Sequence, residues 1–196
     1  ESKFPDRLSG TAASSMGPAA AEVLRFGIIG CGCIGQEHIR NLALIPNAQV
    51  VAIADPHDIS RQGAVACLAL PATNSVEICT GYEELLALPQ VDAVIIATPN
   101  DHHAQCLEAV VASGKHCLVE KPFCTTLEDC AKAEAKIATA ASASGTRLFW
   151  CAMEYRYIPT VARLINEADE GSVGQLRMLT IREHRFPFLR KVRKRN

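Results

Sequence analysis

Apolar and polar positions along the chain repeat with two periods, and the segments that carry them alternate. Short apolar runs at Leu24–Ile29, Gln49–Ala54, Glu77–Cys79, Val91–Thr98, His116–Glu120 and Arg147–Cys151 predict six strands. Val91–Thr98 is apolar on both faces, as a central strand of a parallel sheet has to be. The intervening stretches space their apolar residues three and four apart. Ile39, Leu42 and Ile45 mark a first helix that stops before Pro46, and a second runs from about Ile59 to Leu70. Tyr82–Leu88 reads as a short helix, and Ala104, Leu107, Val110 and Val111 line one that ends at Gly114. Thr126-Leu-Glu-Asp129 has the form of a capping box. It opens a helix with Leu127, Cys130, Ile137, Ala138 and Ala141 inward, ending near Gly145. Strand-helix alternation without internal repeats predicts an α/β protein: a doubly wound, parallel Rossmann sheet with right-handed crossovers, over residues 23–152.

The flanks differ. Residues 1–22 are rich in Ala, Ser, Gly and Pro without periodicity, and read as a flexible leader. After residue 152, Tyr155-Arg-Tyr-Ile-Pro159 leads to a helix marked by Val161, Leu164, Ile165 and Ala168. Gly171 and Gly174 follow, then an alternating stretch, Gln175–Glu183, predicted as a strand. Residues 153–196 therefore read as the start of a second α/β domain with a basic tail. One helix and one strand cannot bury a core of their own.

Composition narrows the partners. Of 196 residues, 48% are hydrophobic and only 5% aromatic, which fits a core packed with Ala, Val, Ile and Leu. A net charge of −1 gives no overall electrostatic case for nucleic acid or an acidic membrane. The basic end (Arg182, Arg185, Arg190, Lys191, Arg193, Lys194, Arg195) has only Phe186 and Phe188 interleaved, and reads as a solvated tail. No apolar run is long enough to span a membrane. The nine cysteines sit mostly inside apolar elements without paired CxxC spacing, so they read as reduced thiols of a cytoplasmic protein without a metal site. Cys31 and Cys33 read as variable positions of the glycine loop, and an oxidation-sensitive thiol there, favoured by the helix start, is the minor alternative.

The chemistry concentrates at strand ends. Gly30-x-Gly32-x-x-Gly35 follows the first strand and opens the first helix, and Asp55 ends the second strand 20 residues after the last glycine. Gly30 makes the turn, Gly32 leaves room for a pyrophosphate at the helix N-terminus, Gly35 allows close helix packing, and Asp55 accepts from a ribose. Cys31, Cys33 and Ile34 belong to the same cofactor-binding loop. A glycine-rich turn with an ordinary surface aspartate is the plain alternative. As a carboxylate Asp55 disfavours a 2′-phosphate, and Pro56-His57-Asp58 supplies no arginine, so NAD is expected over NADP although Arg61 lies six residues on. Ala97-Thr-Pro-Asn-Asp-His-His103 and the pair Glu120-Lys121 stand at the carboxyl ends of two further strands, where open α/β sheets bind ligands.

These motifs, with Gly114-Lys-His-x-x-x-Glu-Lys-Pro122, Tyr155-Arg156-Tyr157, Pro159 and Gly171-x-x-Gly174, resemble the Gfo/Idh/MocA family of NAD(P)-dependent oxidoreductases. That family includes glucose-fructose oxidoreductase and inositol dehydrogenase, and the resemblance covers residues 24 to 185. It implies hydride transfer between nicotinamide and a secondary alcohol of a sugar or cyclic polyol, in a homo-oligomer. It implies that Lys121 is a catalytic residue beside substrate and nicotinamide, steadied by Glu120, and that Pro122 follows an often-cis peptide. Thr98, Pro99, Asn100 and His103 would line the cofactor cleft, and Arg156 would be either a substrate-side residue or a structural ion-pair partner. The family's general base, a histidine paired with an upstream aspartate on a second-domain helix, has no counterpart after residue 185. The expectation is a C-terminally truncated oxidoreductase chain with the cofactor half whole and the catalytic half incomplete, so that the chain by itself need not turn over. The alternative is a non-catalytic dinucleotide-binding or interaction module.

Overall fold

A computed structural model describes residues 22–68, 75–144 and 147–184. The predicted leader, all but residue 22, and the basic end beyond 184 lie outside the described residues. The chain divides into two compact units, one through Ala152 and one from Met153 onward.

The first unit is built in the order β1 (Leu24–Ile29), α1 (Cys33–Leu42), β2 (Ala48–Ala54), α2 (Asp58–Val65), β3 (Glu77–Cys79) and α3 (Tyr82–Leu86). It continues through β4 (Ala93–Ile96), α4 (His103–Ser113), β5 (His116–Val119), α5 (Leu127–Ser144) and β6 (Phe149–Cys151). All six strands are parallel, in the order β3-β2-β1-β4-β5-β6. Both faces are covered because neighbouring strand residues point to opposite sides. Ile28, Val50, Ile53 and Ile95 pack with Ile39 and Leu42 of α1 and Ala64 of α2. Ile29, Ala52, Ala54, Val94, Ile96 and Val119 pack with Leu85, Cys106, Leu107, Val110 and Ala133 from α3, α4 and α5.

The amino-terminal edge of the sheet is fixed by charge. Arg25 donates to Asp92 through Nε (2.9 Å), Nη2 (2.7 Å) and its own backbone N–H (2.9 Å), tying β1 to the entry of β4. Lys115, nearly buried, donates from Nζ to the carbonyls of Leu88 (2.8 Å) and Val91 (2.7 Å). Burial pushes its ammonium below the ordinary lysine value. His116 accepts the Leu148 N–H at 3.1 Å, a structural link from β5 toward β6.

Several predicted details change. Ile45 lies beyond the end of α1 and is 47% exposed, because the helix stops at Leu42. The second helix ends at Val65, short of the predicted Leu70, which itself falls outside the described residues. In α5 the inward stripe is Cys130, Ala133 and Ile137. Leu127 in the first turn is 90% exposed, and Ala138 is exposed. The cap at α5 is half of the predicted box: Thr126 Oγ1 accepts the Asp129 N–H at 3.0 Å and donates to the Asp129 carboxylate at 2.7 Å.

The second unit holds a 3-10 turn at Glu154–Tyr157 and α6 (Pro159–Asp169), with proline at its first turn. Positive φ at Gly171 (74°) and Gly174 (67°) ends the helix and turns the chain. The predicted strand at 175–183 is not formed. Its residues are exposed, and a strand needs a paired neighbour to satisfy its backbone, which no described residue supplies. Tyr155 donates its hydroxyl hydrogen to Glu183 at 2.5 Å within this unit.

Candidate cofactor cleft

In a parallel sheet every carboxyl end lies on the same edge. The turn after β1, Asp55 after β2, Ala97–Asn100 after β4 and Glu120-Lys121 after β5 therefore converge. The strand order reverses between β1 and β4, which opens a crevice at that edge.

Each fingerprint glycine meets a different constraint. Gly30 turns the chain at φ 94°, and a Cβ there would stand 2.6 Å from the Ala97 carbonyl oxygen. At Gly35 a Cβ would collide with the Gly30 carbonyl oxygen, so α1 crosses the loop at backbone contact. Gly32 is the opposite case: its φ is −71°, and a Cβ would find no protein atom within 4 Å. Neither backbone nor packing demands a glycine at Gly32, so the fold leaves a cradle that a side chain would fill.

The start of α1 has no side-chain cap and no acidic residue in its first turn, so its positive end is uncompensated. Ile34 is half exposed there, and Cys33 is exposed. At Cys31 the structure speaks against the minor alternative of an oxidation-sensitive thiol. Its side chain is fully buried, and burial, with Asp55 adding, pushes the thiol up to about 12. The helix-start argument for a reactive thiol fails at Cys31 because the side chain points into the core.

Asp55 is held in place by backbone donors. Oδ2 accepts the Cys31 N–H at 2.8 Å and Oδ1 accepts the His57 N–H at 2.8 Å. A carboxylate has about four acceptor positions, so capacity remains for a diol. Arg61 is already engaged: Nη1 donates to the Asp55 carbonyl at 2.6 Å and Nη2 to Asp58 at 3.2 Å. This arrangement of glycine loop, open helix end and oriented acid fits a dinucleotide.

On the other wall, Pro99 and Asn100 are exposed, with Asn100 starting the 3-10 turn Asn100–His102. Thr98 is partly buried. His103 departs from the predicted lining role, since it is fully buried with both ring nitrogens committed inside the protein. Nδ1 lies 2.7 Å from the Pro122 carbonyl oxygen and Nε2 lies 3.1 Å from that of Thr98. His103 thus clamps the two cleft loops together from below. The Lys121–Pro122 peptide is cis, as the resemblance implies. Glu120 continues the β5 ladder through its N–H to the Ile96 carbonyl (2.9 Å), and its Oε2 accepts the Lys121 N–H at 3.2 Å. Lys121 is exposed. Among the described residues its ammonium makes no ion pair. Arg156 belongs to the second unit, in its 3-10 turn.

One residue of the cleft escaped the sequence reading. His38, three positions after Gly35 on α1, places Nε2 2.8 Å from Glu120 Oε1. A helical Gly-x-x-His spacing hinted at the histidine's face, but nothing local signals a partner 82 residues away. Among the described residues no cluster of His, Cys, Asp and Glu could hold a metal ion, and no helix is long and apolar enough to cross a membrane.

A glycine loop turning into a bare helix end, with an acid closing the neighbouring strand, defines a dinucleotide-binding Rossmann domain. The model of the Gfo/Idh/MocA oxidoreductase family, with its NAD-binding Rossmann fold, matches residues 24–148, and the chain belongs to that family. It is 33% identical over 165 residues to inositol 2-dehydrogenase of Ralstonia nicotianae, covering 84% of this chain and 46% of that one. It is 36% identical over 135 residues to inositol 2-dehydrogenase of Agrobacterium fabrum, covering 68% and 38%. Among solved structures it resembles myo-inositol dehydrogenase from Lactobacillus casei in complex with NAD(H) and myo-inositol, at 25% identity and TM-score 0.69, covering 78% of this chain and 43% of that one. The chain spans about half the length (46%) of the first of these relatives.

Proposed function

We propose that this chain binds NAD in the crevice between β1 and β4 and that the whole protein oxidises a secondary alcohol of a cyclic polyol or sugar. The observation that carries the reading is the pairing of open Gly32 with an Asp55 carboxylate oriented by the Cys31 N–H. In this reading α1 receives the pyrophosphate at its uncompensated end, with Gly30, Cys31, Gly32, Cys33, Ile34 and Gly35 forming the loop. Asp55 takes the ribose diol, and its charge together with the engaged Arg61 disfavours a 2′-phosphate, so NAD is preferred to NADP.

NAD, when bound, accepts or returns the hydride. The exposed Lys121 ammonium donates to the reacting oxygen and stabilises negative charge on it, while Glu120 orients the lysine backbone. Thr98, Pro99 and Asn100 form the facing wall, and Pro122, tied to His103, fixes the end of the lysine loop. A polyol substrate is supported by the relatives named inositol 2-dehydrogenase and by the L. casei complex. Arg156 is assigned to the substrate side. The placing of the cysteines mostly inside apolar elements, without paired CxxC spacing, supports a reducing, cytoplasmic setting, and the subunit contacts of a homo-oligomer are assigned to the second domain.

The test is NADH fluorescence titration followed by polyol-dependent NAD reduction, in wild type and Lys121→Ala. Saturable NADH binding is expected of this chain, and polyol-dependent turnover that is lost in Lys121→Ala is expected of the whole protein. Absence of binding at millimolar NADH would sink the cofactor reading. NADH binding without polyol turnover would leave this chain cofactor binding alone.

A further inference from the structure

We propose that His38 is a positioning residue for Lys121, acting through Glu120. The proposal rests on the reading of Lys121 as the group that faces the reacting oxygen. Glu120 and Lys121 are adjacent just past the carboxyl end of β5, so a flexible carboxylate and a flexible ammonium are tethered within reach of each other. Left alone, the two would pair in solvent, and the ammonium would spend its hydrogen bonds on its own neighbour. The structure shows another arrangement. Glu120 turns inward, its side chain only 16% exposed, and Oε1 meets Nε2 of His38, itself 19% exposed, at 2.8 Å. A carboxylate oxygen only accepts, so the imidazole donates. The second oxygen, Oε2, accepts the Lys121 backbone N–H at 3.2 Å and leaves the ammonium alone.

The segment is then held at three points. The Glu120 N–H bonds to Ile96 at 2.9 Å, the Glu120 carboxylate bonds to His38, and the Pro122 carbonyl lies 2.7 Å from His103. Of these only the His38 contact decides where the negative charge points. It also runs from α1, the helix whose start forms the glycine loop, so the element that seats the pyrophosphate also steadies the lysine.

The experiment is competitive reductive methylation of the purified chain at a fixed alkaline pH, read lysine by lysine by mass spectrometry, with Lys132 and Lys136 as internal controls. Gln places an amide nitrogen about where Nε2 lies, and Asn stops short of it. In His38→Asn the freed carboxylate pairs with the ammonium, and Lys121 labelling falls about threefold, the size of an exposed ion pair. His38→Gln restores it, and in the Glu120→Gln background His38→Asn has no further effect. A merely structural histidine would move the controls together with Lys121. Unchanged Lys121 labelling in His38→Asn, or an equal fall in the Glu120→Gln background, overturns the proposal. If His38→Asn fails to fold by circular dichroism, Glu120→Asp against Glu120→Gln carries the comparison. The shortened carboxylate no longer reaches Nε2 and lowers labelling, the neutral amide does not, and equal labelling in the two overturns the proposal. Protection of Lys121 by NADH tests the active-site reading separately, since the His38 effect is measured without cofactor or substrate.

Discussion

Substituting alanine for Gly32 separates cofactor binding from folding more cleanly than any other single change in this chain. At φ −71° and ψ −164° an L-residue is unstrained, and the added methyl meets no protein atom within 4 Å. Alanine at an N-cap position is worse than glycine by up to about 1 kcal/mol. Removing a glycine from the unfolded chain returns about 0.4–1 kcal/mol. The two cancel to within about 1 kcal/mol, which for a chain of this size moves the melting midpoint by roughly 3 °C or less. Binding is a different matter, because the methyl stands where a pyrophosphate would approach the backbone. An enforced gap there costs about 1.4–2.8 kcal/mol, or roughly ten- to a hundredfold in Kd. Gly30→Ala supplies the contrast. Its φ of 94° and the 2.6 Å approach to the Ala97 oxygen combine strain with overlap against backbone, costing about 3 kcal/mol or more and roughly 10 °C of midpoint. Thermal melts by circular dichroism and NADH fluorescence titrations on both variants make the comparison. If Gly32→Ala melts as low as Gly30→Ala, or binds NADH as tightly as wild type, the assignment of the two glycines is wrong.

Asp55→Ala is expected to weaken NADH binding by roughly 150-fold, from the loss of about 3 kcal/mol of charged hydrogen bonds to a diol, and to narrow the preference over NADPH; titrations with both cofactors check it. Asp92→Asn tests the Arg25 clamp. The Arg25 guanidinium holds the Asp92 carboxyl below its ordinary 3.8, so its stabilisation is complete above that value and is lost as pH falls through the lower folded-state value. Urea unfolding of wild type and Asp92→Asn is therefore expected to differ most at neutral pH and to converge in acid; a constant gap would contradict the clamp. Thiol labelling is expected to reach Cys33 first, while Cys31, raised to about 12, and Cys117, also about 12, react only on unfolding. Maleimide labelling with peptide mapping reads that order.

The sheet was legible because each strand carries its own apolar run and each intervening helix its own stripe. The glycine loop was legible because its constraints are local: a turn, a helix start and an acid one strand away. What the chain order hid were decisions made elsewhere in space. Cys31 looks like a helix-start thiol, but the direction of its Cβ sends it into the core between α1 and β2. His103 sits in a motif beside exposed Asn100 and is nonetheless swallowed by the Thr98 and Pro122 carbonyls. Residues 175–183 alternate as a strand does, but pairing is a property of two segments, and alternation describes only one. Glu120 and His38 meet only because β5 and α1 share an edge of the sheet, a fact of topology rather than of either neighbourhood.

The contact of Gly30 with the Ala97–Thr98 peptide bears on engineering. A Cβ at Gly30 would touch Ala97 O, Ala97 C and Thr98 N, so the first turn of the cofactor loop is moulded to the exit of β4. A loop grafted from a homologue to alter cofactor choice would inherit a surface cut for a different partner. Exchanging residues 30–35 together with 97–100 as one module preserves that fit, and exchanging either alone does not.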